Sequence, residues 1–211
     1  MKNFVLIIGT RPEIIKVVPF IKAARNNGLN FFVLHTGQHY SPLMDKVFWQ
    51  NFSLKPPKYN LRIHGKTHAQ QVGNMMIGVE NFLIKKRPNY VIVYADVNTA
   101  LASALVARKL NIPIIHLEGG LRSFDLTMPE EVNRLLISHI ANYHFVPHQL
   151  NKQNLNREGI SKNIFVVGNT IADAINSMVK LSAKKSQILN KLELKPNNYF
   201  LMTIHRPAGV D

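Results

Sequence analysis

Segment 113–134 reads PIIHL, EGGLRSFDLTM, PEEVNR and concentrates side chains that could move protons. Glu118 ends an apolar run and precedes Gly119-Gly120, where a backbone can turn sharply or approach a ligand closely. A polar stretch with Arg122 and Asp125 follows, and Pro129-Glu130-Glu131 opens a new helical segment. Glu118 and Glu130 are candidate general acids or bases, and Arg122 and Arg134 candidate cations in the same cleft. Thr127-Met128-Pro129-Glu130 also fits a capping box, which gives Glu130 a structural reading beside the chemical one. Capping does not explain Glu118.

Other chemistry-bearing residues recur at comparable places. Gly9-Thr10-Arg11-Pro12-Glu13 follows the first apolar run, and proline fits a first helical turn there. It is not a phosphate loop of the GxGxxG or Walker type. Arg11 is placed for a phosphate or carboxylate, and Lys16, a turn and a half further on, points to the same anion. Thr36-Gly37-Gln38-His39 ends the second apolar run, with His39 as a loop histidine. Asp96 follows YVIVYA and precedes Asn98 and Thr99, a position that suits a helix N-cap and a catalytic acid equally. His205-Arg206-Pro207 ends the last apolar run. None of the nine histidines has metal-ligand spacing, so no metal site is expected.

These residues need a scaffold that brings strand ends together. Strand-like runs stand at 4–8, 31–35, 90–94, 112–117, 143–146 and 163–167, with helical patterns between them. That alternation predicts an α/β fold with a Rossmann-like, doubly wound parallel sheet. The period of Ala69, Val72, Met76, Val79 and Leu83 predicts a helix over 68–86 whose methionines and Phe82 are core. A second helix is expected over 97–109, and 56–66 reads as a loop. After Gly168-Asn169-Thr170 the pattern restarts with a helix over 171–189 and a strand-like YFLMTI at 199–204. The expected division is 1–168 for a first lobe and 169–211 for the incomplete beginning of a second. In open α/β sheets ligands bind beyond the carboxyl ends of the strands. Arg11, Asp96, Glu118, Glu130 and His205 all fall there, which points to one active-site cleft.

Composition narrows the classes. With 46% hydrophobic residues over 211, the chain can build a core, and the absence of cysteine excludes disulfides and thiolate metal sites. The first apolar run is too short for a membrane span and lacks a cleavage site, so a cytoplasmic location is the default expectation. Lys+Arg 26 against Asp+Glu 12 gives a formal charge of +14. The basic residues are scattered without a docking motif, so nucleic-acid binding is not expected.

GTRPEIIKVVP, TGQHY, VYADVNTALASAL, HLEGGLRSFDLTMPEEVNR, VGN and TIHRP together resemble the non-hydrolysing UDP-N-acetylglucosamine 2-epimerases, in family order and at family-like intervals. Ala95 stands where that family usually has glycine, Gly119 where it has alanine, and Ala208-Gly209 replaces a more polar pair. The resemblance implies a two-lobed fold of the glycosyltransferase-B kind, of which this chain would be the first lobe and a truncated second. It implies inversion at C2 by elimination of UDP to a 2-acetamidoglucal and re-addition, with no metal or redox cofactor, in the service of cell-surface polysaccharide synthesis. Asp96, Glu118 and Glu130 would be the acid/base carboxylates and His205 the histidine near the diphosphate. Arg11, Lys16, Arg134 and Arg206 would meet the substrate. The implied partners are UDP-N-acetylglucosamine and UDP, with a second copy in a homodimer or a separate C-terminal-lobe polypeptide. Another sugar-nucleotide enzyme, hydrolytic or transferring, and a non-catalytic binding subunit are the alternatives. The 211-residue chain alone is expected to be a poor catalyst.

Overall fold

The structure, a computed structural model, describes residues 2–38, 46–63, 65 and 67–203. The chain divides into two compact units, Met1–Ala174 and Ile175–Asp211. Unit one begins with strand β1 (Asn3–Ile8), helix α1 (Arg11–Asn26) and β2 (Asn30–His35). A short helix α2 (Lys46–Asn51) and a two-residue strand β3 (Tyr59–Asn60) lead into α3 (His68–Lys86). Then come β4 (Tyr90–Tyr94), α4 (Asn98–Lys109), β5 (Ile114–Leu117) and α5 (Pro129–Ile140). The unit closes with β6 (Tyr143–Val146), α6 (Gln149–Arg157) and β7 (Ile164–Val166). Helix α7 (Thr170–Lys185) runs across the boundary between the units, and α8 (Ile188–Lys191) follows it.

All seven strands pair in parallel, in the order β3-β2-β1-β4-β5-β6-β7. Parallel neighbours demand helical crossovers, which explains the strict alternation of the sequence patterns. The chain leaves β1 toward β2 and β3, then returns to β4 on the other side of β1. The crevice of this sheet therefore opens between the carboxyl ends of β1 and β4.

The strands are β-branched and apolar because both faces of the sheet are covered. Val5, Ile7, Val91 and Val93 face α3 and α4 through Val79, Leu83 and Ala104. Leu6, Ile8, Ile92 and Tyr94 face the other side, where Ile14, Val17 and Ile21 of α1 and Trp49 of α2 pack. The alanines of α4 let that helix lie close to the sheet, and Ala100, Ala102, Ala104 and Ala107 are all buried. Met75 and Phe82 are core side chains, as their spacing predicts, and Met76 is partly buried.

Three local expectations are corrected. Residues 59–60, inside the stretch read as a loop, pair with Leu34 and His35 of β2, because an edge position needs only two residues to extend a sheet. The single helix expected over 171–189 is two, broken between Lys185 and Ile188. The strand expected at 199–204 is absent over 199–203, where Phe200, Leu201 and Met202 are exposed. A strand exists by pairing with a neighbour, and among the described residues of the second unit there is none. Among the described residues no helix is long and apolar enough to cross a membrane.

Candidate active site

The register of β4 on β5 pairs Tyr94 with Leu117, so the residues that leave these strands emerge side by side. Ala95 donates its N–H to Leu117 O at 3.0 Å, and Gly119 donates to Phe145 O at 3.2 Å, which extends the ladder one step beyond the strands. Ala95 and Glu118 both take left-handed backbone, with φ of 55 and 63. That conformation costs a non-glycine residue about 1–2 kcal/mol. It turns Asp96 and the Glu118 side chain into the crevice instead of along the sheet. Gly120 (φ 75) completes the turn, and a Cβ there would lie 2.4 Å from Asn151 O, so only glycine fits. At Gly119 a Cβ would meet His116 Nδ1 at 3.3 Å, a tight but adjustable contact.

Each carboxylate is held by a cation. Lys16, one and a half turns into α1, donates to Glu118 Oε2 at 2.7 Å and Oε1 at 2.9 Å. Asn169, beyond β7, donates to Glu118 Oε1 at 2.7 Å. Glu118 borders a cavity of about 280 Å³ that Phe20, Tyr94, Leu117, Phe145 and Asn169 help to line. Burial and the nearby Glu118 carboxylate push the Tyr94 phenol up, and its hydroxyl shares a 2.9 Å hydrogen bond with Thr170 Oγ1.

Asp96 Oδ2 accepts a hydrogen bond from Arg134 Nε at 2.8 Å and forms an ion pair with Nη2 at 2.5 Å. Burial raises the Asp96 pKa above the usual aspartate range, and Glu118 pushes the same way, against the pull of Arg134 and Lys16. Asn133 donates to the Asp96 carbonyl at 2.7 Å and so fixes its backbone. The crevice thus holds two neighbouring carboxyl groups, with the proton affinity of Asp96 raised by its burial, chemistry suited to acid/base catalysis.

Glu130 is exposed on the first turn of α5. Its capping-box reading fails: the N-cap is Met128, and Thr127 Oγ1 donates to Asp125 Oδ1 at 2.6 Å instead. Proline at the first helical position moved the cap one residue on. Arg11 is exposed at the start of α1, by the end of β1. Arg122, expected in the cleft, is turned away from it. Its side chain is 1% exposed and makes a two-pronged pair with Glu158, at 2.7 and 2.6 Å, plus a bond to Ser138 Oγ. His39, His205 and Arg206 lie outside the described residues.

Two buried acids belong to this region and were not singled out from the sequence. Glu13 accepts at Oε2 from Gly9 N–H, Thr10 N–H and Thr10 Oγ1, at 2.9, 2.8 and 2.9 Å. Burial pushes its pKa up to about 7, opposed by these bonds. The signal was present, because Thr10-Arg11-Pro12-Glu13 has capping-box spacing. Glu131 is 1% exposed and accepts from Ser123 N–H, Phe124 N–H and Arg134 Nη1, at 3.0, 3.1 and 2.8 Å. Although burial works against its charge, those donors hold its carboxyl below the usual range. The i, i+3 spacing to Arg134 was its signal.

Behind the site, His116 is buried and pulled down to about 3 by that burial, so it is a neutral ring. Its Nε2 therefore carries the hydrogen and donates to Ala95 O at 2.8 Å, bracing the strained turn before Asp96. His144, likewise pushed down to about 4 by burial, lies edge to face with it. Across the crevice, Gln38 Oε1 accepts from Thr99 N–H and Oγ1, and Thr36 shares a hydrogen bond with Thr99. A Cβ on Gly9 would fall 2.2 Å from Thr99 Oγ1, so the first strand end can approach α4 this closely only as glycine.

The family model described as UDP-N-acetylglucosamine 2-epimerase matches residues 22–211. The UDP-N-acetylglucosamine 2-epimerase of Methanocaldococcus jannaschii is 49% identical over 210 residues, 98% of this chain and 57% of the relative. That of Methanococcus maripaludis is 45% identical over 209 residues, 98% of this chain and 57% of the relative. The crystal structure of the M. jannaschii enzyme with UDP-GlcNAc and UDP superposes with a TM-score of 0.85 at 49% identity, over 90% of this chain and 52% of that one. The chain thus spans a little over half the length of the relatives it matches, and within that span it belongs to the UDP-N-acetylglucosamine 2-epimerase family.

Proposed function

We propose that this chain carries the proton-transfer half of an enzyme that interconverts UDP-N-acetylglucosamine and UDP-N-acetylmannosamine. The observation that carries the reading is the pair Asp96 and Glu118, emerging side by side at the carboxyl ends of β4 and β5, each tied to its own cation. Inversion at C2 needs a weakly acidic C–H bond broken and remade, and two neighbouring carboxyl groups, with the proton affinity of Asp96 raised by burial, suit that task. The likeness to the M. jannaschii epimerase supports the substrate.

In the proposed reaction a carboxylate removes the C2 proton. The C–H electron pair forms the C1–C2 double bond while the C1–O bond breaks and its electrons leave with the UDP oxygen. The 2-acetamidoglucal then takes a proton at C2 on the opposite face, and UDP re-adds at C1. Asp96, Glu118 and Glu130 are the candidate acids and bases. Arg11, Lys16 and Arg134 are the cations offered to the anionic substrate, the last two while they also hold Glu118 and Asp96. Residues 169–211 are read as the beginning of a second, nucleotide-binding lobe, with His205 and Arg206 as the candidates for the diphosphate. The reading takes the enzyme to act in the cytoplasm, without a metal or redox cofactor, in supply of cell-surface polysaccharide synthesis.

Product analysis tests it. The full-length protein incubated with UDP-N-acetylglucosamine should yield UDP-N-acetylmannosamine with the sugar still joined to UDP, resolved by proton NMR. Stoichiometric free sugar would mark a hydrolytic enzyme, and consumption only in the presence of an acceptor would mark a transferase.

A further inference from the structure

The second acid of Pro129-Glu130-Glu131 has no part in the reaction as set out above, yet it is a buried carboxylate bonded at both oxygens. Glu131 is 1% exposed, and both its oxygens are taken up. Oε1 accepts from Phe124 N–H, while Oε2 accepts from Ser123 N–H and Arg134 Nη1. The same guanidinium turns its other edge, Nε and Nη2, onto Asp96 Oδ2. A planar, five-donor fork shared between two carboxylates cannot rotate on one without leaving the other. Phe124 itself has φ 59, a strained conformation for an aromatic residue, and its N–H ends on Glu131. The acid therefore ties together the loop that leaves Glu118 and the arginine that grips Asp96.

We propose that Glu131 is a positioning residue for the C2 proton transfer, fixing Arg134 against Asp96 and the Ser123–Phe124 backbone beside it. The proposal rests on the reading of Asp96 as an acid/base group. Glu131 does not touch the reacting atoms; it acts through Arg134. A displacement of about 1 Å in a catalytic constellation can lower a rate by on the order of 10², so loss of this anchor should appear in kcat. The other charged groups around Asp96 are Glu118 at the end of β5 and Lys16 and Glu13 on α1. Of these groups Glu131 is the one bonded to Arg134 besides Asp96 itself, which makes their coupling separable.

The test is a double-mutant cycle on the full-length enzyme. E131Q is expected to lower kcat by on the order of 10²-fold with little change in KM. The double variant E131Q/R134Q should be no slower than R134Q alone, because groups that act as a unit are not additive. E158Q, which releases Arg122 from the same loop without touching Asp96 or Arg134, should leave kcat per folded molecule unchanged. Additive losses in the cycle, or an E131Q enzyme with wild-type kcat, would overturn the proposal. A wild-type protein that leaves C2 of the substrate untouched would instead overturn the functional reading, so the two failures are distinct. If E131Q does not fold, the wild-type protein carries the test through the Arg134 Nε–H resonance. Slow solvent exchange of that hydrogen, with a shift as Asp96 titrates, supports the proposal, and fast exchange contradicts it.

Discussion

Glu13 gives the sharpest quantitative prediction, because its burial is complete and its neutral mimic is close in shape. Its pKa lies at about 7 against 4.5 for a free glutamate, with burial as the main cause. The folded state therefore binds this proton more tightly than the unfolded state. Below pH 4.5 both states are protonated and nothing is lost. As pH rises through the interval to about 7, the unfolded chain releases the proton while the folded one retains it, and stability falls. Above about 7 the loss is complete. At about 1.4 kcal/mol for each pH unit, the gap makes the loss about 3 kcal/mol. Glu13→Gln removes the titration. The amide oxygen can still accept from Gly9 and Thr10, and the NH2 replaces Oε1, which has no hydrogen-bond partner. The variant and the wild type should be similarly stable near pH 4, and the variant should be ahead by about 3 kcal/mol at pH 8. Urea unfolding read by Trp49 measures this directly. It is the sole tryptophan of the 211 residues and packs in the same cluster as Ile14 and Val17 of α1. The reasoning is refuted if the stability difference does not change between the two pH values, or if it moves in favour of the wild type as pH rises.

The other predictions concern the acids and the buried arginine. Asp96→Asn, Glu118→Gln and Glu130→Gln in the full-length enzyme should each lower turnover by on the order of 10²–10⁴-fold. For the exposed Glu130 the thermal midpoint should barely move, since substitutions at open surface sites stay within about 0.5 kcal/mol; a loss of stability with turnover retained would restore the capping role. Glu158→Gln leaves the buried Arg122 without its ionised partner and should cost on the order of 3 kcal/mol in urea unfolding. Unchanged stability there would mean that the pair contributes little to holding the loop after Gly120.

The sheet was legible because parallel strands buried on both faces must be continuous apolar runs, and YVIVY and YHFV mark β4 and β6 residue for residue. The places of Glu118 and Asp96 just beyond strand ends were legible for the same reason, as polar residues that abruptly end such runs. What side chains do after the backbone turns was not. Arg122 stands four residues from Glu118 in sequence, yet its partner Glu158 comes from beyond α6, a long-range pairing without a local pattern. Glu13 and Glu131 have ordinary capping and i, i+3 spacings, and only three-dimensional burial separates them from a solvated surface acid. The short strand β3 escaped notice because two residues carry no period, and 199–203 misled because apolar character alone does not provide a pairing partner.

The central claim is that the carboxyl groups at the ends of β4 and β5 exchange the C2 proton of a UDP-sugar. Reaction of the full-length protein with UDP-N-acetylglucosamine in deuterium oxide tests it most directly. The account predicts one deuterium at C2 of the product, with the incorporation lost in Asp96→Asn or Glu118→Gln. Product that keeps its original C2 hydrogen, or wild-type rates of incorporation in both variants, would contradict it.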